Sequence, residues 1–147
     1  MSLQKQLLLS AGAIFGAYAT VSSIMARSLT TTKRLPILDT PDAVGLQYRD
    51  VSFKSRDDHV NLSGWTITPS DKLKSDESGQ NHRWIVIVHG HGTNRSDPVF
   101  GSLSLARELH QAGFAVLMFD LRASGQSSGN RGSAGYDEQR DLHGALD

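Results

Sequence analysis

The sequence predicts an α/β domain with parallel strands, preceded by one apolar helix near the N-terminus. Two short apolar runs, 84–88 and 114–119, enclose a segment with helical periodicity. A strand–helix–strand order of this length is typical of a parallel βαβ unit. Upstream of it, two β-rich segments within residues 48–68 predict a hairpin. Near the N-terminus, a long uncharged apolar run predicts the helix.

Size and composition limit the class of protein. With 147 residues, of which 38% are apolar, the chain is long enough for one small hydrophobic core. Its formal net charge of zero gives no electrostatic reason to expect a nucleic-acid partner. The sequence contains no cysteine, which excludes disulfides, cysteine-based zinc sites and a cysteine nucleophile within it.

Residues 1–27 form the predicted membrane anchor or signal segment. The 21 residues between Lys5 and Arg27 carry no formal charge. As a helix they would span roughly 30 Å, the thickness of the hydrocarbon core of a bilayer. Residues 7–26 therefore predict a single-pass N-terminal membrane anchor. A cleaved signal peptide is the main alternative, because Ala17-Tyr18-Ala19 resembles a cleavage site, and the protein would then be secreted or periplasmic.

A linker is predicted over residues 28–46, where threonine, proline and charged residues show no sustained period. The globular domain is then predicted over residues 47–147. Its first part, residues 48–68, is predicted as a β-hairpin with a turn from Arg56 to His59. The polar stretch from Ser70 to His82 predicts a solvated loop.

The following residues predict the βαβ unit. Trp84 to Val88 is a continuous apolar run, which predicts a central strand buried on both faces. Asp97 and Pro98 predict the N-cap and first residue of a helix, and Gly113 predicts its end. Apolar residues recur at helical spacing between them: Val99, Leu103, Ala106, Leu109 and Ala112. The stretch FAVLMFD then predicts a second buried strand, parallel to the first.

The last segment predicts one more helix. Asp137 and Glu138 favour a helix start, and Asp141 extends this acidic N-terminal turn. One side of the helix is apolar and carries Leu142, Ala145 and Leu146.

The remaining polar residues are predicted to have structural or solvated positions. Asp120 and Arg122 follow the second strand, and an ion pair between them is predicted to fix the turn. Four histidines are predicted to lie in loops or on helix surfaces without a chemical role: His59, His82, His110 and His143.

The order of these elements and two motifs resemble the N-terminal part of an α/β-hydrolase. The resemblance is to membrane-anchored or exported bacterial serine hydrolases related to serine aminopeptidases and esterases, and it covers residues 47–147. The first motif is His89-Gly90-His91-Gly92, and the second is Asp120 to Ser127, DLRASGQS. The second motif departs from the family pattern at Ala123-Ser124, where Gly-His is usual. The implied fold is the α/β-hydrolase fold.

In this family the first motif contributes to the oxyanion hole. The resemblance therefore implies that the backbone N–H of His91 is an oxyanion donor and that His89, Gly90 and Gly92 shape the binding turn. The two glycines let the backbone approach a ligand and adopt positive φ. The implied activity is hydrolysis of a small-molecule ester or amide through an acyl-enzyme, without a cofactor.

A G-x-S-x-G pattern from Gly125 to Gly129 makes Ser127 resemble a catalytic nucleophile. Such a nucleophile needs a strand that ends at the first glycine and a helix that begins after the serine. Ser127 is predicted to have neither, because its strand ends at Asp120 and Asn130-Arg131-Gly132 predicts a loop. We therefore expect the nucleophile, acid and base beyond residue 147, and we expect this chain to be a truncated, inactive N-terminal part.

Three other functions share features with this sequence. A hydrolase-like binding domain that has lost its catalytic triad would have the same N-terminal part. A metallohydrolase would use His89 and His91 as ligands, but Thr93 and Asn94 stand where its motif requires Asp and His. A dinucleotide site would require a third glycine where Arg95 stands. The hydrolase without metal or cofactor is the favoured interpretation.

Overall fold

A computed structural model describes residues 2–31, 33–69 and 83–147. The chain divides into two compact units, Met1–Thr31 and Thr32–Asp147. The predicted loop from Ser70 to His82 lies outside the described residues.

The first unit is a single helix, α1 (Leu3–Thr30), with no buried residue. It ends at Thr30, three residues after the end of the segment predicted over residues 1–27. By length and composition it is able to cross a membrane, and a signal sequence meets the same criteria. Four of its hydroxyl groups donate to the carbonyl four residues earlier, which satisfies these donors inside the helix: Ser10, Thr20, Ser23 and Thr30.

The second unit contains a four-stranded mixed sheet with the strand order β1-β2-β4-β3. Its strands are β1 (Arg49–Lys54), β2 (Asn61–Ile67), β3 (Trp84–Val88) and β4 (Ala115–Phe119). β1 and β2 form the predicted antiparallel hairpin, and β2 also pairs antiparallel with β4. β3 and β4 are parallel, as the βαβ pattern predicts, with Trp84 opposite Ala115 and Val88 opposite Phe119.

β4, and not β3, lies inside the sheet. All five residues of β4 are buried, because it has a neighbouring strand on each side. Within the described residues β3 pairs only with β4, and its ends Trp84 and Val88 are 50% and 42% exposed. The prediction of a central strand at Trp84 to Val88 is therefore wrong for the described chain. An apolar run shows that a strand is suited to burial, but it does not specify the neighbours of that strand.

The connecting helix α2 (Ser102–Gln111) begins four residues later than predicted. The Asp97 carboxylate does accept the backbone N–H of Val99, at 2.7 Å, but this bond closes a local turn and not the first turn of a helix. Val99 is consequently 86% exposed. The helix ends before Gly113, as predicted, and Ala106 is buried against the sheet.

The last helix, α3 (Glu138–Leu146), confirms the prediction for the end of the described domain. The two helices cover opposite faces of the sheet, because alternate residues of β4 point to opposite sides. Val116 and Met118 belong to the core cluster that contains Ala106 of α2. Leu117 and Phe119 belong to a second cluster, against which Ala145 of α3 packs.

The segment before the hairpin differs from the predicted linker. Residues 33–40, which we call the strap, have no regular structure, and Pro41–Val44 form a 3-10 helix. Pro41 and Leu46 are buried in the second unit. The strap is held along the domain by hydrogen bonds, since Arg34 donates to the loop after β4 and Asn94 donates to two strap carbonyls.

Candidate active site

The two motifs form adjacent turns because they follow the carboxyl ends of neighbouring parallel strands. The first turn is His89–Gly92 after β3, and the second turn is Asp120–Gly129 after β4. In open α/β sheets, ligands bind outside the carboxyl ends of the strands. Both turns therefore lie where this architecture places its binding sites.

The side chain of His89 links the first turn to the second. It is 8% exposed, and its Nε2 accepts the backbone N–H of Leu121 at 3.0 Å. The proton of the neutral ring is therefore on Nδ1, which lies 2.7 Å from the Gly90 carbonyl oxygen. Burial lowers the pKa of His89, which favours this neutral form. Both ring nitrogens are occupied within the protein, so His89 anchors the turn and is not available as a metal ligand.

The first turn leaves a run of backbone donors without partners. The backbone N–H groups of Gly90, His91 and Gly92 donate to no described part of the chain. Gly92 has a φ of 75°, and a left-handed residue in such a turn brings successive N–H groups to one side. The His91 side chain is exposed. The turn therefore offers backbone donors to an incoming anionic or carbonyl oxygen.

Asp120 at the start of the second turn is fully buried and bonds to Arg95, not to Arg122. Its Oδ1 accepts the Arg95 backbone N–H at 2.8 Å, and its Oδ2 accepts Arg95 Nη1 at 3.1 Å. Oδ2 also accepts the Gln126 N–H at 2.9 Å. A Cβ at Gly125 would lie 2.2 to 2.7 Å from the Asp120 carboxylate atoms, so only glycine fits there. The predicted Asp120–Arg122 ion pair is therefore wrong.

Arg95, which the sequence analysis treated only as a missing glycine, holds the two turns together. Its guanidinium lies 4.1 Å from the ring centroid of Trp65 and donates to Gln126 Oε1 at 2.6 Å. Burial lowers the pKa of Arg95, while the neighbouring Asp120 carboxylate opposes this shift. The residue is 3% exposed. An arginine three residues after a glycine-rich turn gives no sequence signal for a buried partner 25 residues away.

Arg122 lies in a second buried network, and its partner is Asp141 in α3. The Arg122 backbone N–H and guanidinium both donate to this carboxylate, with a shortest distance of 2.7 Å from Nη2. Nη1 also donates to Asp58 at 2.7 Å. Burial lowers the pKa of Arg122, but the hydrogen bonds to the two carboxylates outweigh it and raise the pKa above its ordinary value. Asp141 lies in the acidic first turn of α3, as predicted, but it is fully buried there as the partner of Arg122.

Ser127 lacks the geometry of a nucleophile. It is 1% exposed, its Oγ donates to the Asp120 carbonyl oxygen at 2.5 Å, and it accepts the Ser63 N–H at 2.9 Å. No strand ends at Gly125 and no helix begins after Ser127. The hydroxyl therefore fastens the second turn to β2, as the sequence argument against an elbow anticipates.

The other histidines contribute nothing to these turns. His59 and His143 are exposed and His110 is half-buried on α2, while His82 lies outside the described residues. Among the described residues there is no group of three or more metal-ligating side chains.

Comparison with known proteins gives matches among solved structures. No protein-family model matches the chain, and no curated protein matches it. The esterase Pf2001 of Pyrococcus furiosus is 28% identical, with a TM-score of 0.66 over 80% of this chain. The matched region is 40% of the esterase chain, so this chain spans less than half the length of that enzyme.

Two more distant structures share the fold. The α/β-hydrolase GrgF of Penicillium sp. sh18 is 21% identical over 69% of this chain and 31% of its own, with a TM-score of 0.56. The hypothetical protein PA2218 of Pseudomonas aeruginosa is 22% identical, with a TM-score of 0.55; the match covers 69% of this chain and 29% of the PA2218 chain. Together with the strand order, these matches show that the second unit has an α/β-hydrolase-like fold.

Proposed function

We propose that this chain is the N-terminal part of a serine hydrolase that cleaves an ester or amide through an acyl-enzyme. The observation that carries the proposal is the run of unpartnered N–H groups around His91, at the sheet edge where ligands bind. The likeness to a protein named as an esterase supports the same class of reaction.

The first turn would act on the carbonyl oxygen of the substrate. Negative charge develops on this oxygen as the tetrahedral intermediate forms, and the His91 N–H would stabilise it. The hydrogen bond from Leu121 to His89 fixes the start of the turn, and that from the Arg95 N–H to Asp120 fixes the chain three residues after it. The donors are therefore held in place before the substrate arrives, so little reorganisation is needed in the reaction.

We further propose that the nucleophile, acid and base are supplied by sequence beyond residue 147. Ser127 is buried with its hydroxyl engaged, and it is the serine whose local pattern matches the nucleophile motif. The outer edge of β3 carries no strand within the described residues, and we propose that a later strand pairs there. The 147-residue chain alone is then expected to be inactive.

A fluorophosphonate probe tests this proposal, because it labels activated serines. We expect the complete hydrolase to be labelled at a serine after residue 147, and we expect no labelling of the 147-residue chain. Labelling at Ser127 would contradict the proposal. A complete protein that neither reacts with the probe nor hydrolyses esters or amides would instead be a hydrolase-like binding domain.

We also propose that residues 7–26 anchor the protein in a membrane. The run is uncharged, and three hydroxyls within it, those of Ser10, Thr20 and Ser23, donate to carbonyl groups of α1, which leaves these donors satisfied in an apolar environment. Deleting residues 7–26 is expected to move the protein from the membrane fraction to the soluble fraction. A soluble product whose mature N-terminus is Thr20 would show a cleaved signal peptide instead.

A further inference from the structure

The strap and the residues that follow the first turn enclose a pocket of ≈ 400 Å³. This volume lies within the range of small-molecule sites. The strap supplies one wall with Leu35, Pro36 and Leu38, and the loop after the first turn supplies the other, from Thr93 to Val99. The strap lies within the predicted linker, so nothing in the sequence predicted this pocket.

The polar side chains around the pocket direct their hydrogen-bonding groups to the protein itself. Asn94 Nδ2 donates to the Leu35 and Pro36 carbonyl oxygens at 3.2 and 2.9 Å. Asn94 Oδ1 accepts both the N–H and the hydroxyl of Ser96, at 2.9 and 3.0 Å. The amide of Asn94 is thus used to hold the strap against the loop.

Two further polar atoms of the wall also bond within the protein. Thr93 Oγ1 donates to the Gly90 carbonyl oxygen at 3.0 Å, and Asp97 Oδ1 accepts the Val99 N–H at 2.7 Å. What remains to contact a ligand is mostly hydrocarbon, including the exposed side chains of Leu38 and Val99, which are 68% and 86% exposed. The pocket therefore suits an apolar group better than a sugar or a charged group.

Arg34 fixes the start of the strap to the second turn. Its Nη1 donates to the carbonyl oxygens of Gly125 and Ser127 at 3.1 and 2.5 Å, and its Nη2 donates to that of Gly129 at 2.8 Å. Three carbonyl groups on one guanidinium give this wall of the pocket a defined position.

We propose that this pocket holds the hydrocarbon chain of the substrate, so that the enzyme prefers esters or amides with several carbons on the acyl or alkyl side. The proposal rests on the proposed hydrolase function. Its geometric basis is continuity, because Thr93 and Asn94 in the pocket wall directly follow Gly92 of the first turn. The turn that carries the proposed oxyanion donors and the pocket wall are thus successive parts of one loop.

The test is a series of p-nitrophenyl esters from acetate to decanoate, hydrolysed by the complete enzyme. In the parent enzyme, kcat/KM is expected to rise about fourfold per methylene until the pocket is filled. Leu38→Trp narrows the pocket and is expected to lower kcat/KM for the octanoate ester about tenfold, through KM, with the acetate ester nearly unchanged. Leu105→Trp, at a surface leucine of α2 outside the pocket wall, is the matched control and is expected to keep the parent profile.

A second variant tests the position of the strap. Arg34→Gln is expected to raise KM for the octanoate ester while kcat for the acetate ester stays near the parent value. A merely structural effect would lower both, and thermal unfolding identifies variants that have not folded.

These experiments distinguish failure of the pocket proposal from failure of the hydrolase proposal. If no ester of any length is hydrolysed, the hydrolase proposal fails, and calorimetric binding of decanoate to the full chain then tests the pocket directly. Leu38→Trp is expected to weaken that binding about tenfold, and Leu105→Trp to leave it unchanged. Equal behaviour of the two variants in hydrolysis and in binding would overturn the pocket proposal.

Discussion

The first and second turns follow neighbouring strands, are both rich in glycine and both carry a hydrolase-like motif, yet they use their polar groups in opposite ways. Around His91 the backbone N–H groups have no partner in the described chain. In the second turn the Asp120 carboxylate accepts three hydrogen bonds, and the Ser127 hydroxyl both donates and accepts.

This difference separates a candidate reactive site from a structural one. A buried polar group that already has partners has no capacity left to bind a substrate. Removing one partner leaves the other buried without a hydrogen bond, which costs its full desolvation free energy. Donors without partners can bind an oxygen at no such cost. The comparison therefore predicts that changes in the second turn affect stability, whereas changes in the first affect activity.

The largest stability effect is expected for Asp141→Ala. This change leaves the buried Arg122 guanidinium and backbone N–H without their main acceptor. Removing one partner of a buried ion pair costs about 3–5 kcal/mol. Denaturant unfolding of the domain measures the loss.

Asp137→Ala is the matched control in the same helical segment. Asp137 pairs with Arg140 at 3.4 Å, with both side chains about one-third exposed, and such pairs contribute less than about 1 kcal/mol. Equal losses for the two variants would show that Arg122 does not depend on its buried carboxylate.

In the first turn, changes to the side chain and to the backbone of His91 are expected to have different effects on kcat. His91→Ala keeps the backbone N–H and is expected to leave kcat nearly unchanged in the complete enzyme. His91→Pro removes the N–H and is expected to lower kcat by about 10²- to 10³-fold, the usual loss for one oxyanion donor. The comparison applies to variants that unfold at the parent temperature, because proline also changes the backbone.

Gly92→Val is a second probe of the same turn. It keeps the N–H but strains a residue with a φ of 75°, so a loss of activity is expected here as well. If His91→Ala alone abolished activity and zinc restored it in some variants, the imidazole would be a metal ligand or base, and the metallohydrolase interpretation would be correct.

Ser127→Ala is expected to change stability and not activity. The variant leaves the half-buried Ser63 N–H without its acceptor and the buried Asp120 carbonyl oxygen without this donor, which costs about 1–3 kcal/mol. Ester hydrolysis by the complete enzyme should persist. Ser128→Ala, at an exposed neighbour, is expected to cost less than about 0.5 kcal/mol. Loss of hydrolysis with unchanged stability would restore Ser127 as the candidate nucleophile.

The sequence predicted those elements of the fold that depend on local patterns. The hairpin, the parallel βαβ unit and α3 all follow from the spacing of apolar residues and from turn residues. The start of α2 was wrong because the hydrogen bond of Asp97 to the N–H of Val99 serves a turn as well as a helix cap. Within the described residues β3 lies at the edge of the sheet and not at its centre, because the position of a strand depends on which other strands pair with it.

The partners of the charged residues were not predictable from local pattern. Asp120 is two residues from Arg122 in sequence, but its carboxylate bonds to Arg95, and Arg122 bonds to Asp141. These choices depend on which loops meet at the sheet edge. The strap pocket was missed for the same reason, because a stretch rich in threonine and proline gives no sign that Asn94 will hold it.

The smallest effect is expected at His89, which joins the two turns through its bond from Leu121. Burial lowers the pKa of His89 in the folded protein, whereas an unfolded histidine titrates near about 6.5. Between these values the unfolded chain binds more protons, so acidification favours unfolding. The stabilisation is fully present above about pH 6.5 and is lost as the pH falls below it.

Unfolding free energies measured at about pH 7.5 and pH 5.5 test this expectation. The parent should be less stable at the lower pH, and His89→Gln should show a smaller difference between the two. Asp58 and Glu138 do not interfere, because hydrogen bonds lower their pKa values further below this window despite burial. The effect is small because the bond from the Arg95 N–H to Asp120 also joins the turns. An unchanged pH dependence in His89→Gln would mean that the imidazole is not held neutral between them.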